Sequence, residues 1–261
     1  MQSDEVVPNG TWKFDGNVAE CFDDMLSRSI PQYDVMRQSV TEFALHFRKP
    51  YTTIMDLGCS RGGAIAELLN HPQTWNNTFV GVDVSEPMLD AAKQRAEFES
   101  AIEAKRLNIY RCDLRSAFPK ALQYPQCVDA PKPLQYTNEN VPSTSVILSI
   151  LTLQFIPIEY RQAILSKIYK ELHTGGAFIF VEKVLGSSAA VDSIFTAQYY
   201  KMKQSNGYSD DAIERKRLSL EGVLVPVTSK WNEELLHTAG FTHVECFWRW
   251  MNFAGWIGIK E

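Results

Sequence analysis

Five short, almost continuously apolar runs, at residues 54–57, 79–83, 107–113, 145–150 and 177–182, alternate with stretches whose apolar residues recur every three or four positions. Runs this apolar predict strands buried on both faces, as in a parallel sheet covered by helices. The intervening stretches predict the helices. Val18, Phe22, Met25 and Leu26 fall at helical spacing, as do Val35, Val40, Phe43, Leu45 and Phe47 after the break at Pro31. Met88, Leu89 and Ala92 follow Ser85, a helix N-cap residue, with Pro87 tolerated in the first turn. Ile164, Leu165, Ile168 and Leu172 mark a helix over 161–172, which Gly175-Gly176 turns into the fifth strand. Residues 231–239 read as helix, and 243–250 with 255–259 as a closing hairpin. The pattern predicts an α/β chain with five parallel strands, a late antiparallel pair and helices on both faces.

The remaining stretches divide the chain further. Residues 1–13 read as a loose leader, 14–50 as an N-terminal helical cap and 188–225 as a second helical insertion. Residues 116–143 carry five prolines among Gln, Asn and Tyr, which predicts a long loop or lid beside a cleft. At 261 residues and 45% hydrophobic, residues 1–261 can bury one core as a single domain. The net charge of −5 argues against direct nucleic-acid binding. Five scattered cysteines without a C-x-x-C pair indicate no disulfide framework and no metal site, and place the expectation in a reducing cytoplasm. No run approaches the ~18 apolar residues of a membrane span.

Candidate chemistry gathers at the strand ends. Asp56 lies in the first run and is followed by Gly58-Cys59-Ser60-Arg61-Gly62-Gly63, a glycine loop leading into a helix. Asp83 closes the second run, where an acid commonly accepts hydrogen bonds from ribose hydroxyls, and Asp113 closes the third, placed to accept from an adenine amino group. A pyrophosphate cradle wants glycine where this chain has Ser60. A ribose ligand without pyrophosphate tolerates that side chain, so the expected cofactor is S-adenosylmethionine, its carboxylate at the helix N-terminus. With this ligand the expected fold is the Rossmann-like class I S-adenosylmethionine-dependent methyltransferase fold, with a mostly parallel seven-stranded sheet and a helical cap. Tyr33, just after Pro31, lies where such a cap would meet the ligand, or packs on the core.

Beyond the cofactor loop, several segments resemble carboxy-S-adenosylmethionine synthases. They are Phe14-Asp15 through Phe22-Asp23-Asp24-Met25, Arg28-Ser29-Ile30-Pro31-Gln32-Tyr33, Leu151-Thr152-Leu153-Gln154-Phe155 and Asn206-Gly207-Tyr208-Ser209. Lys216-Arg217, Ala239-Gly240-Phe241 and Asn252-Phe253 extend the likeness to the C-terminal end. The resemblance implies an enzyme that carboxylates S-adenosylmethionine with prephenate, supplying modification of the tRNA wobble uridine, and that forms a homodimer. It implies that Tyr33, Gly58, Cys59, Ser60, Asp83, Asp113 and Leu114 line the cofactor site, which binds S-adenosylmethionine, its carboxylated form or S-adenosylhomocysteine. It also implies that Arg217 pairs with the new carboxylate, a task suited to a guanidinium fork. Val84 and Ile150 stand where the family has asparagines, and a small-molecule methyltransferase is the alternative activity.

Overall fold

The computed structural model describes residues 4, 6, 8, 10–122 and 143–261. Most of the expected 116–143 insertion, residues 123–142, lies outside the described residues.

The apolar runs form the sheet. Strands β1 (Thr53–Leu57), β2 (Thr78–Asp83), β3 (Leu107–Arg111), β4 (Thr144–Ile150) and β5 (Leu172–Leu185) are parallel. Their order is β3-β2-β1-β4-β5, continued by the hairpin of β8 (Phe253–Ile259) and β7 (His243–Trp250), with β8 antiparallel to β5. An eighth strand, β6 (Val227–Thr228), pairs parallel with the end of β5 and was not expected, being too short to carry a pattern. Strand order reverses between β1 and β4, and α/β sheets bind ligands beyond the carboxyl ends of strands at such a switch point.

Helices α1 (Gly16–Ser29) and α2 (Tyr33–Phe47) flank Pro31, and Asp15 caps α1 by accepting the Val18 N–H. Helix α3 (Gly63–Leu69) follows the glycine loop. Ser85 caps α4 (Glu86–Lys93) as expected, through the Met88 N–H at 3.3 Å, and a further helix, α5 (Ala96–Glu103), precedes β3. Helix α6 (Ile158–Glu171) starts earlier than expected. Arg161 is buried in its first turn because the Ile156, Gln154 and Val225 carbonyls accept from its guanidinium. Helices α7 (Ala189–Ser205) and α8 (Asp210–Ser219) fill the second helical stretch, and α9 (Ser229–Ala239) precedes the hairpin. No helix among the described residues is long and apolar enough to cross a membrane.

Two apolar layers cover the sheet. Met36, Val40, Ile65, Leu89 and Phe98 pack on one face, and Ile164, Leu165, Ile168, Leu236 and Phe241 on the other. Two expectations are corrected. Gly175-Gly176 lies inside β5, which begins at Leu172, because the strand pairs with Thr144 before the glycines. The described part of the leader is not loose: Trp12 is buried and donates its N–H to the Ser219 carbonyl, and the Asp4 carboxylate is buried against Tyr208 and Lys216.

Glu182 is 2% exposed in β5 and accepts the Leu153 N–H at 3.0 Å, bracing the exit of β4. Burial pushes its carboxyl up to about 8, opposed by Arg161 and backbone N–H groups. A raised carboxyl stabilises the fold below its ordinary range, and that contribution is lost as pH rises through 8. From pH 7 to 9 this one carboxyl should withdraw on the order of 1 kcal/mol, so the Tm of the wild-type protein should fall by about 2–4 °C relative to that of Glu182→Gln. Melting curves of both proteins across that range check this.

Candidate active site

The carboxyl ends of β1 to β5 open into one cavity of about 610 Å³, within the size range of small-molecule sites. Its floor is the glycine loop. Gly58 and Cys59 donate their N–H groups to the Val82 carbonyl at 2.8 and 2.9 Å, which ties the loop to β2. Gly58 has φ +86°, and a Cβ there would fall on the Thr152 side chain. Ser60 also sits in the left-handed region, at φ 47°, as does Leu151 at φ 59°, next to the Thr152 that faces Gly58. Non-glycine residues held there store strain of ~1–3 kcal/mol each, a feature that clusters at functional sites.

Asp83 organises this floor. Its two oxygens accept the Ser60 and Ser85 N–H groups, each at 2.9 Å. Burial raises its pKa against those bonds. Asp56 is 3% exposed; burial pushes it up to about 7, with Arg37 opposing and Asp83 adding to the rise. Asp113 is held at the rim by a bidentate Arg115, whose hydrogen bonds keep its pKa low.

All residues singled out in the sequence line this cavity: Tyr33, Asp56, Gly58, Cys59, Ser60, Asp83, Val84, Asp113, Leu114, Ile150 and Arg217. Their environments differ. Val84 is 53% exposed and Ile150 half-buried, so both put apolar surface on the wall. Arg217 is 40% exposed and donates to Glu214 at 2.8 Å and Glu221 at 3.2 Å, one helical turn away on either side. Tyr199 and Tyr200 both reach the cavity from α7.

The sequence reading missed Arg37. Its guanidinium is buried beside Gly63, pairs with Glu67 at 2.8 Å and lies 6.0 Å from the Tyr33 ring centroid. It puts a fixed positive charge at the start of α3, a helix of only seven residues. The available signal was an arginine among the buried positions of α2, between Met36 and Val40.

The sequence is similar over nearly its whole length to curated carboxy-S-adenosyl-L-methionine synthases. The Methylococcus capsulatus protein is 37% identical over 247 residues, covering 95% of this chain and 93% of that one. The chain belongs to the carboxy-S-adenosyl-L-methionine synthase family. The synthase of Wolinella succinogenes is 36% identical over 250 residues, covering 95% of this chain and 93% of its own. Residues 55–178 match the methyltransferase domain family. The fold is shared with human N-acetylserotonin methyltransferase solved in complex with S-adenosylmethionine, at 13% identity and TM-score 0.56, covering 94% of this chain and 55% of the human one. A Haloferax volcanii Trm112 complex with its putative partner methyltransferase gives TM-score 0.56 at 13% identity, covering 94% and 96%. The class I methyltransferase fold expected from the strand pattern is therefore the fold of this synthase family member.

Proposed function

We propose that this protein carboxylates S-adenosylmethionine at its sulfonium methyl group, with prephenate as the carboxyl donor. The carrying observation is one cavity lined both by strand-tip acids and by cationic side chains of α7 and α8. The residues present fit an adenosyl sulfonium. Asp83, already oriented by two backbone N–H groups, has lone pairs left for ribose hydroxyls. In this reading Asp113 and Leu114 take the adenine, Gly58, Cys59 and Ser60 the nucleoside's near face, and Asp56 the ligand's ammonium group. Tyr33, Val84 and Ile150 supply walls.

S-adenosylmethionine enters this reaction as a substrate. The donor's ring-to-carboxylate bond breaks, and its electron pair aromatises the ring and expels the ring hydroxyl as hydroxide. Hydroxide takes a proton from the sulfonium methyl, giving water, and the methyl carbon then bonds to the released carbon dioxide. Atoms and charge balance without a protein base. The cavity's part is to hold donor and methyl together and to exclude bulk water. Homodimer formation and delivery of the product to wobble-uridine modification belong to the same reading, supported by the family resemblance. A small-molecule methyltransferase is the second reading, favoured by the apolar Val84 and Ile150.

The protein should add the mass of one carbon dioxide to S-adenosylmethionine when prephenate is present, read by mass spectrometry; no gain with prephenate rejects the first reading. Arg217→Ala should weaken retention of the carboxylated product about 10-fold or more, while S-adenosylmethionine affinity stays within about twofold. Equal losses for both ligands remove Arg217 from the product site.

A further inference from the structure

Three lysines line the cavity. Lys183 leaves the end of β5, Lys203 stands on α7 and Lys216 on α8. Lys203 is 4% exposed. Among the described residues, neither Lys183 nor Lys203 has a carboxylate within 4.0 Å. What they have instead is aromatic rings. The Lys183 Nζ lies 5.1 Å and the Lys203 Nζ 5.8 Å from the centroid of the Tyr199 ring, and Lys203 is also 4.7 Å from that of Tyr208. Lys216 lies 3.5 Å from Asp4 and 4.8 Å from the Trp12 ring centroid.

Aromatic faces hold an ammonium group without neutralising it, so the charge stays available to a ligand. Buried charges are ordinarily paired, and like charges gathered in one cavity oppose folding. Burial, then the neighbouring Lys216 and Lys183, push the Lys203 ammonium down to about 7. A cluster of this kind is stable when an anion joins it. Two ammonium groups set against one ring offer separate partners for two carboxylates.

We infer that Lys183 and Lys203, supported by Lys216, form a dicarboxylate subsite that recognises the carboxyl donor beside the adenosyl site. The inference rests on the proposed reaction and names the side chains that select a dianionic acid. With both lysines engaged by a dianion, the second substrate also offsets the positive charge that the sulfonium brings into the same cavity. A monocarboxylate leaves one ammonium unmatched and binds less tightly.

The test is calorimetric titration of the S-adenosylhomocysteine-saturated full chain with prephenate and, separately, with malonate and acetate. Wild-type protein should bind prephenate or malonate more tightly than acetate. Lys183→Met and Lys203→Met should each weaken dicarboxylate binding about 10- to 100-fold, with S-adenosylhomocysteine affinity within twofold. Lys203→Gln, read alongside, covers a misfolded Lys203→Met. Removing an unpaired buried cation should also leave the Tm of the Lys203 variants equal or higher, whereas a purely structural lysine predicts a fall with dicarboxylate binding unchanged. The subsite is overturned if neither dicarboxylate binds, or if the lysine variants bind as wild type does. Carboxylated product formed without lysine dependence rejects the subsite and keeps the reaction. Lysine-dependent malonate binding with no product from prephenate rejects the reaction and keeps the subsite.

Discussion

Gly58→Ala should lower the melting temperature by about 5–15 °C and abolish measurable S-adenosylhomocysteine binding. Two effects add. Gly58 is at φ +86°, where an L side chain costs ~1–2 kcal/mol. The new methyl group would also fall on the Thr152 side chain, and overpacking of that kind costs ~1–3 kcal/mol. For a chain of this length each kcal/mol moves Tm by about 2–4 °C. The loop cannot swing clear while Gly58 and Cys59 both donate to the Val82 carbonyl, so the strain falls on Ser60 and the cavity floor. Scanning calorimetry with and without ligand measures both parts. An unchanged Tm would mean that Thr152 turns aside and that the close approach is not a constraint.

Asp83→Ala should weaken S-adenosylhomocysteine binding about 100-fold. A carboxylate that accepts from two ribose hydroxyls supplies two hydrogen bonds to a charged group, at ~1.5–3 kcal/mol each, and not all of that is recovered by water. The same change removes the acceptor of the Ser60 and Ser85 N–H groups, which loosens the loop. Asp113→Ala is the contrast. That carboxylate already faces Arg115 at the solvent rim, so its loss should cost about 10-fold or less. Isothermal titration of the two variants separates these roles, and equal losses would deny Asp83 its central place.

Much of the site was legible before the fold. Asp83 and Asp113 end apolar runs, and strand tips of a parallel sheet converge on one edge whatever the intervening residues are. Ser60 stood out because it interrupts a glycine pattern with a known steric purpose. Arg37 did not stand out, because an arginine on a helix reads as solvated until α2 is seen with that face against the glycine loop. Lys183 and Lys203 were hidden for a related reason. Lys203 stands one turn from Tyr199 on α7, and only the approach of α7 to the end of β5 brings Lys183 against the same ring. Asp4 lay in a stretch with no periodicity at all, yet it is the buried partner of Lys216 and Tyr208.

The five parallel strands, the closing hairpin, the acids at the strand ends and the glycine loop interrupted by Ser60 were legible in the chain's own pattern, because each depends on neighbours a few residues away. Which cations face the cavity, whether they are paired, and how far burial moves Asp56, Glu182 and Lys203 were settled only by tertiary contacts. Those quantities depend on desolvation and on charges brought together from distant parts of the sequence, and both arise only when the chain closes on itself.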